Sequence, residues 1–324
     1  PSPRAVAAYR ALADNLHRYP DGGAHELRRA LARHHGLDAE RIVCGNGSDE
    51  LISLLTQAYC GPGDEVLYSL HGFLMYPIAA KARGAMPVTA PERDLVADVD
   101  ALLSKVTERT RIVFLANPNN PTGSYLPAAD VQRLRDGLPA GVLLVIDAAY
   151  AEYVGKNDYS PGVELVDARE DVVMTRTFSK IYGLAGLRVG WAYASPAIVD
   201  VLQRVRGPFN VNAPAQAAAV AALADVAWAD AARTHNDIWL PWLTRQIAAT
   251  GVGVAPSVGN FLLLRFPASP RDAAAADKFL RQRGLILRPM GAYGLPDCLR
   301  LTVGTEDENQ ATVVALAEFM GRSP

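Results

Sequence analysis

The sequence contains few cysteines, no long apolar run and no excess of charge of one sign. Cys44, Cys60 and Cys298 are far apart and form no CxxC pair, which argues against a disulfide framework and a zinc site. The 32 Lys and Arg residues nearly balance the 34 Asp and Glu residues, so neither a basic nucleic-acid-binding face nor an acidic tail is indicated. No apolar stretch approaches the roughly 18 residues that cross a bilayer, and no signal peptide is recognisable. We therefore expect a soluble cytoplasmic protein.

Histidine is also sparse, and the sequence carries no other metal-ligand pattern. No two of the six histidines have the spacing of metal ligands, so we expect no metal site. The chain opens with Pro1, Ser2 and Pro3 instead of methionine and runs directly into a helix-like segment, so we expect a further segment to precede it. Its 324 residues, half of them apolar, are enough for two domains with large cores.

Strand-like and helix-like segments alternate from residue 41 to residue 194. The predicted strands are residues 41–44, 64–68, 86–89, 111–116, 142–146, 172–175 and 188–194, and the predicted intervening helices are residues 48–59, 74–83, 98–105 and 128–138. Near-continuous apolar strands separated by helices are typical of a mostly parallel sheet with helices on both faces. From about Asn212, a long Ala-rich helical region and shorter elements indicate a smaller α/β domain. We predict a large domain at residues 20–207 and a small domain at residues 1–19 and 208–324.

Four turns that follow strands carry the polar residues of interest, and ligands of open α/β sheets bind at the carboxyl ends of strands. The first turn, residues 45–50, reads Gly-Asn-Gly-Ser-Asp-Glu and opens a helix. Close backbone approach at glycine, free N–H groups and the helix dipole there suit a phosphate. An ordinary helix N-cap at Ser48 or Asp49 explains the same residues.

The second and third turns add an amide and a carboxylate. In residues 117–123, Asn-Pro-Asn-Asn-Pro-Thr-Gly, two prolines hold Asn120 where its amide could donate to a ligand oxygen, although a rigid turn alone explains the pattern. Asp147 ends a buried strand and needs a cation or hydrogen-bond donors. It either caps the next segment or faces the protonated pyridine nitrogen of a cofactor ring, which keeps that ring cationic. In the second case Tyr150 lies near the phenolic oxygen of the ring.

The fourth turn contains a candidate nucleophile. Residues 176–180 read Arg-Thr-Phe-Ser-Lys, and Arg188 follows eight residues after Lys180. A lysine in apolar surroundings near cations loses its proton more readily, and the neutral amine forms imines. Thr177, Ser179 and Arg188 could hold a dianionic phosphate. A solvated lysine and a surface arginine are the alternative.

Strand-end Asn, Asp and Lys in this order, with Gly-Ser before and Arg after, resemble the fold-type-I pyridoxal-phosphate (PLP) enzymes of the aspartate-aminotransferase superfamily. More narrowly, the chain resembles the histidinol-phosphate aminotransferase family, a class II aminotransferase family. The segments that carry the resemblance are residues 18–22, 45–50, 73–76, 117–123, 176–180, 186–188, 208–212 and 298–304. The resemblance implies a mostly parallel, mixed seven-stranded sheet in the large domain, PLP as cofactor, a small-molecule amino donor, a 2-oxo acid and a homodimer with shared active sites.

The resemblance also implies a role for each catalytic residue. Lys180 would hold PLP as a Schiff base and shuttle the proton between Cα and C4′. Asp147 would pair with the pyridine nitrogen. Asn120 and Tyr150 would bond the phenolic oxygen, and Phe73 would stack on the ring.

The remaining implied contacts concern anions. The residues around the cofactor phosphate would be Gly47, Ser48, Asp49 through its backbone N–H, Thr177, Ser179 and Arg188. Tyr19 would reach the cofactor phosphate of the neighbouring subunit. Arg300, with Arg288 as a second arginine, would bind the anionic end of the substrate, and an arginine fork accepts either phosphate or carboxylate.

The chain departs from the family at two points. Ala148 stands where the family commonly has an acidic residue, but the spacing from Asp147 to Tyr150 is retained. The family's Asn-Glu-Asn-Pro-like segment, which covers the substrate, would lie just upstream of Pro1. Three reactions fit these residues: transamination of L-histidinol phosphate with 2-oxoglutarate, transamination of aromatic amino acids or arogenate, and decarboxylation of an amino-acid phosphate. A catalytically idle binding module would have no reason to keep Lys180, Asp147 and Arg188 together.

Overall fold

The computed structural model describes residues 1–322, in which a seven-stranded sheet, a four-stranded sheet and a two-stranded hairpin are surrounded by helices. The strands are β1 (Ile42–Gly45), β2 (Glu65–Ser69), β3 (Met86–Ala90), β4 (Glu92–Arg93), β5 (Val96–Ala97), β6 (Thr110–Ala116), β7 (Leu143–Asp147), β8 (Val172–Thr177), β9 (Gly190–Tyr193), β10 (Gly253–Val254), β11 (Phe261–Arg265), β12 (Arg288–Pro289) and β13 (Cys298–Thr302). The α-helices are α1 (Pro3–Arg10), α2 (His25–His35), α3 (Ser48–Tyr59), α4 (Met75–Ala82), α5 (Val99–Ser104), α6 (Ala128–Gly137), α7 (Val163–Ala168), α8 (Pro196–Val205), α9 (Ala213–Ala224), α10 (Val226–Ala249), α11 (Ala273–Arg281) and α12 (Glu306–Met320).

The main sheet has seven strands in the order β1-β9-β8-β7-β6-β2-β3. Strands β3, β2, β6, β7 and β8 pair in parallel, and β9 pairs antiparallel with both β8 and β1. Parallel neighbours need a crossover connection, whereas β8 and β9 are joined directly by the turn that contains Lys180. The prediction of an α/β fold with a mostly parallel, mixed seven-stranded sheet is confirmed.

The apolar strands of the main sheet are buried on both faces. Leu144 and Ile146 of β7 pack in the core on one side of the sheet, and Leu143 and Val145 pack in the core on the other. Successive side chains of a strand point to opposite faces, so a strand covered on both sides is apolar at every position. The chain can then place a polar residue where the strand ends, and in β7 that residue is Asp147.

The second sheet is antiparallel, in the order β10-β11-β13-β12, and is packed by α10, α11 and α12. Ala5 of α1 and the buried alanines of α9 pack instead in a core of the main sheet. The domain boundary at residue 207 stays a prediction, and this packing favours a boundary near Asp225, between α9 and α10.

Two sequence-based details differ in the structure. The strand predicted for residues 188–194 begins at Gly190, because Arg188 adopts a left-handed conformation with φ 56°. The short hairpin of β4 and β5, closed by left-handed Asp94 and Leu95, was missed because each strand has only two residues.

Among residues 1–322, no helix has the length and apolar character needed to cross a bilayer.

Candidate active site

A cavity of about 230 Å³ lies at the carboxyl ends of β6, β7 and β8 and extends to the second sheet. The predicted site residues that line it are Ser48, Asp49, Phe73, Asn120, Asp147, Tyr150, Thr177, Ser179, Lys180, Arg188, Arg288 and Arg300. The four turns and the two arginines therefore meet in one place, although they are spread over more than two hundred residues of sequence. Gly47 and Tyr19 do not line the cavity, and their positions are described below.

Asp147 is a buried carboxylate, 5% exposed, at the end of β7. Tyr76 Oη donates to its Oδ2 at 2.9 Å, and Thr175 Oγ1 lies 3.4 Å from its Oδ1. Burial raises the pKa of Asp147 to about 6, and the hydrogen bond from Tyr76 acts in the opposite direction. Its hydrogen-bonding neighbours are hydroxyl groups, so the carboxylate keeps the capacity to accept from a cationic N–H in the cavity.

Lys180 follows β8 and faces the same cavity. Burial lowers the pKa of its amine, the positive charge of Arg300 adds to this effect, and the charge of Asp147 opposes it. Its Nζ lies 5.2 Å from the centre of the Tyr150 ring. The amine is therefore more readily available in its neutral, nucleophilic form than an exposed lysine.

The start of α3 forms one end of the cavity. The N-cap of α3 is Gly47, with φ 80° and no side-chain capping bond, so the alternative interpretation of Ser48 or Asp49 as an ordinary N-cap is wrong. A Cβ at Gly47 would lie 2.4 Å from Nη2 of Arg188 and would displace the end of that side chain, and the positive φ itself favours glycine. The N–H groups of the first turn are left for an anion.

Arg188 organises this anion-binding end. Its Nη2 donates to Asp49 Oδ2 at 3.0 Å, and its Nη1 donates to Ser179 Oγ at 3.3 Å. The backbone N–H of Ser179 donates to Thr177 Oγ1 at 3.1 Å. A guanidinium, two hydroxyls and a helix N-terminus converge here, which is the donor set that a phosphate dianion requires.

Two arginines of the second sheet form the opposite end. Arg288 on β12 and Arg300 on β13 are direct partners in the antiparallel register. Arg300 Nη1 donates to Asn120 Oδ1, which connects the second sheet to the loop after β6. Arg300 Nε is buried and has no hydrogen-bond partner within residues 1–322. A second anion in the cavity would satisfy this donor and balance the two charges.

Aromatic side chains form the walls between the two ends. Tyr150 is buried and packs edge-on against Phe261, with ring centres 5.0 Å apart. Burial raises the pKa of Tyr150 to about 12, so its hydroxyl stays protonated and can donate. Phe73 lines the cavity and packs perpendicular to Tyr76, with ring centres 5.9 Å apart. These walls suit a flat aromatic ligand.

Tyr19 lies away from the cavity of its own chain, in a separate groove. It is 82% exposed and stacks on Phe209, with ring centres 4.7 Å apart. Leu16 beside it is also exposed. The predicted contact of Tyr19 with a neighbouring subunit's cofactor stays a prediction.

Two residues that support the site were missed by the sequence-based prediction. Tyr76 appeared only within residues 73–76, one of the segments that carry the family resemblance, and nothing local in the sequence indicates its bond to Asp147. Gly190 opens β9, and a Cβ there would lie 2.5 Å from the backbone N of Ser48, so glycine is required. Its place two residues after Arg188 was the only available signal. Within the described part of the chain, no group of His, Cys, Asp and Glu residues is arranged to hold a metal ion.

The chain is similar to known proteins over nearly its whole length. The family model described as aminotransferase class I and II matches residues 1–316. Histidinol-phosphate aminotransferase of Paramagnetospirillum magneticum (strain ATCC 700264 / AMB-1) is 64% identical over 322 residues, which cover 99% of this chain and 89% of that protein. Histidinol-phosphate aminotransferase of Rhodospirillum centenum (strain ATCC 51521 / SW) is 58% identical over 320 residues, which cover 99% of this chain and 88% of that protein.

The same likeness holds for a solved structure. Histidinol-phosphate aminotransferase from Sinorhizobium meliloti, in complex with pyridoxal-5′-phosphate, superposes with a TM-score of 0.92 at 32% sequence identity. The superposition covers 99% of this chain and 88% of that chain. The resemblance therefore extends to the three-dimensional arrangement of nearly the whole chain.

Proposed function

The chain belongs to the class I and II aminotransferase family, and on that basis we propose that it is a PLP-dependent transaminase of fold type I that acts on L-histidinol phosphate and 2-oxoglutarate. The products are imidazole acetol phosphate and L-glutamate, a reaction of histidine biosynthesis. The observation that carries the proposal is that Lys180 and Asp147 face one cavity, with an anion-binding end at α3 and two arginines at the opposite end. The names of the two relatives described above support the substrate.

The residues of the cavity fit PLP. The close approach at Gly47 and the donors of Arg188 and Ser179 suit its phosphate. Asp147 would accept a hydrogen bond from its protonated ring nitrogen, and Tyr150 and Asn120 would bind its phenolic oxygen. Phe73 would cover one face of the ring. When bound, PLP supplies an electron sink that stabilises negative charge at the substrate Cα.

Lys180 carries out the proton transfer in this proposal. Its amine takes the proton from Cα of the amino donor, which requires it to be neutral. Burial and the charge of Arg300 favour that state. Asp147 supplies the fixed negative charge across the cavity, and its pKa of about 6 leaves it mostly ionised at neutral pH.

Arg300 and Arg288 orient the substrates. One substrate presents a phosphate and the other a carboxylate at its distal end, and a guanidinium fork binds either oxyanion with paired N–H donors. Asn120 Oδ1 accepts a hydrogen bond from Arg300 and so links the substrate end of the cavity to the cofactor end.

The working form in this proposal is a cytoplasmic homodimer. Exposed Tyr19 and Leu16 lie in a groove apart from the chain's own cavity, as expected for residues that serve a neighbouring subunit. All three cysteines are free and buried, which suits a reducing compartment. Sedimentation of the holoenzyme, together with complementation of Tyr19→Ala by a second inactive variant in mixed dimers, tests this arrangement.

The substrate is tested by direct competition between amino donors. Glutamate formation from 2-oxoglutarate is measured with L-histidinol phosphate, phenylalanine and tyrosine, and we expect the highest kcat/KM with histidinol phosphate. Adding this donor should also bleach the visible cofactor band, and 2-oxoglutarate should restore it. A preference for phenylalanine or tyrosine would indicate an aromatic aminotransferase instead. Release of carbon dioxide without any oxo acid would indicate a decarboxylase.

A further inference from the structure

Tyr76 lies on α4, away from the strand-end turns, yet its hydroxyl reaches the candidate active site. Its Oη donates to Asp147 Oδ2 at 2.9 Å, across 71 positions of sequence. The other donor to this carboxylate, Thr175 Oγ1, is 3.4 Å from Oδ1, a distance at which a hydroxyl hydrogen bond is weak. Tyr76 therefore makes the one short hydrogen bond to the carboxylate of Asp147 among the described residues.

The position of the Tyr76 ring is fixed by its surroundings. The ring is fully buried and stacks on Phe114, with centres 4.5 Å apart and planes 4° from parallel. It packs edge-on against Tyr68 and Phe73, and its backbone N–H donates to the carbonyl oxygen of Phe73 at 3.0 Å. The packing leaves the ring no space to turn, so the direction of the hydroxyl is set by the core.

Resting on the proposed function, we infer that Tyr76 is a positioning residue for the cofactor. Its hydroxyl occupies Oδ2 of Asp147, keeps the carboxylate ionised and leaves Oδ1 to accept the hydrogen bond of the cofactor ring nitrogen. The Tyr76 side chain also contacts Phe73. It therefore connects Phe73, proposed to cover the face of the cofactor ring, with Asp147, proposed to bind the ring nitrogen.

The charge balance at Asp147 shows what the hydroxyl contributes. The titratable groups that face Asp147 are Asp49 of α3, Tyr76 of α4, Tyr150 and Tyr159 beyond β7, and Lys180 beyond β8. Burial and the charge of Asp49 raise the pKa of Asp147, whereas the hydrogen bond of Tyr76 and the charge of Lys180 lower it. Removing the hydroxyl takes away a stabilising contact of the charged form, so the carboxylate would hold its proton to a higher pH.

The test is PLP binding to the apoenzyme between pH 5 and pH 8, measured by equilibrium dialysis. We expect Tyr76→Phe to raise the Kd at pH 7 about tenfold, since a hydrogen bond to a charged group is lost. PLP binding should weaken as the pH falls and Asp147 becomes protonated, and in Tyr76→Phe this should occur at a higher pH than in wild type. Tyr68→Phe is the matched control, because Tyr68 is buried beside Tyr76 and its hydroxyl makes no bond to Asp147. Titrations of PLP itself are common to all variants and cancel in the comparison.

A double-mutant cycle separates this role from general packing. If Tyr76 acts through Asp147, the loss caused by Tyr76→Phe should disappear in an Asp147→Asn background. Replacing Tyr76 by 3-fluorotyrosine, which retains the ring and is a stronger donor, should shift the pH dependence downward and guards against misfolding of the phenylalanine variant. Equal losses in both backgrounds, or wild-type binding by Tyr76→Phe, would overturn the inference. Absence of PLP binding by the wild-type protein would instead overturn the proposed function.

Discussion

The two ends of the cavity are built differently. At the main-sheet end, Asp147 is the last residue of buried strand β7 and Lys180 follows buried strand β8. The hydrogen bond of Tyr76 fixes the Asp147 carboxylate there. The second-sheet end consists of Arg288 on an exposed two-residue edge strand and Arg300, whose Nε lacks a partner within residues 1–322. On the proposed function, the first end would hold one cofactor and the second would accept two different anions in turn, and we infer that the first is rigid and the second adaptable.

The largest expected effect is at Lys180, on the rigid end. Lys180→Ala removes the group proposed to move the Cα proton, and general acid–base catalysis contributes about 10²–10⁴-fold, so kcat should fall by at least this factor. The rate is measured with saturating histidinol phosphate and 2-oxoglutarate, and the absorption spectrum is recorded alongside. Lys105→Ala, at an exposed position after α5, is the control. A Lys180→Ala enzyme with near-normal kcat would show that the main-sheet end does not carry the proposed proton transfer.

The second effect concerns the stability of the apoprotein. The pKa of Asp147 is raised from 3.8 to about 6 in the folded state, so the folded state favours the protonated carboxyl. This contribution is complete below pH 3.8 and is lost as the pH rises through about 6, and it amounts to about 3 kcal/mol at roughly 1.4 kcal/mol per pKa unit. Urea unfolding of apo wild type and apo Asp147→Asn at pH 4, 5 and 7 measures it. The difference in the free energy of unfolding between the two should change with pH in favour of the variant at pH 7. A pH-independent difference would contradict a raised pKa of buried Asp147.

The third effect tests the adaptable end. Arg300→Ala should lower kcat/KM for both histidinol phosphate and 2-oxoglutarate about tenfold to a hundredfold, through KM, because charge-assisted hydrogen bonds to both anions are lost. Arg288→Ala should have a smaller effect in the same direction, since Arg288 is exposed. A visible cofactor band should persist without substrate, because Lys180 and Asp147 are unchanged in both variants. A loss for one substrate only would show that the two anions do not share this end.

The smallest effect is expected at Gly47. Gly47→Ala introduces a Cβ at φ 80°, which costs about 1–2 kcal/mol, and the Cβ meets the end of the Arg188 side chain. We expect a modest loss in the free energy of unfolding and weaker PLP binding, with KM values for both substrates little changed. Gly36→Ala also introduces a Cβ at positive φ, with open space around it and away from the cavity, so it is the control for a substituted glycine that does not contact Arg188. Equal PLP affinity in the two variants would show that the approach of Gly47 to Arg188 is unimportant.

Much of the main-sheet end could be predicted because its residues directly follow apolar strands. Asp147 and Lys180 end or follow runs that must be buried, and parallel strands bring their carboxyl ends to one edge. The same reasoning could not find Tyr76, because an aromatic residue on a partly apolar helix is indistinguishable in sequence from ordinary core. It could not assign α1 and α9 to the main core either, since small alanines pack on whichever surface is close enough.

The sequence by itself determined the α/β architecture and the chemical groups of the site, because strand periodicity and strand-end motifs are local properties of the chain. Only the tertiary structure decided which groups touch. The bond from Arg188 to Asp49 spans 139 positions, and the bond from Arg300 to Asn120 spans 180. Such contacts depend on how the two sheets pack and on left-handed backbone at Gly47 and Arg188. Short-range sequence patterns do not encode contacts between residues so far apart, so only the folded structure determines how these charged groups are oriented.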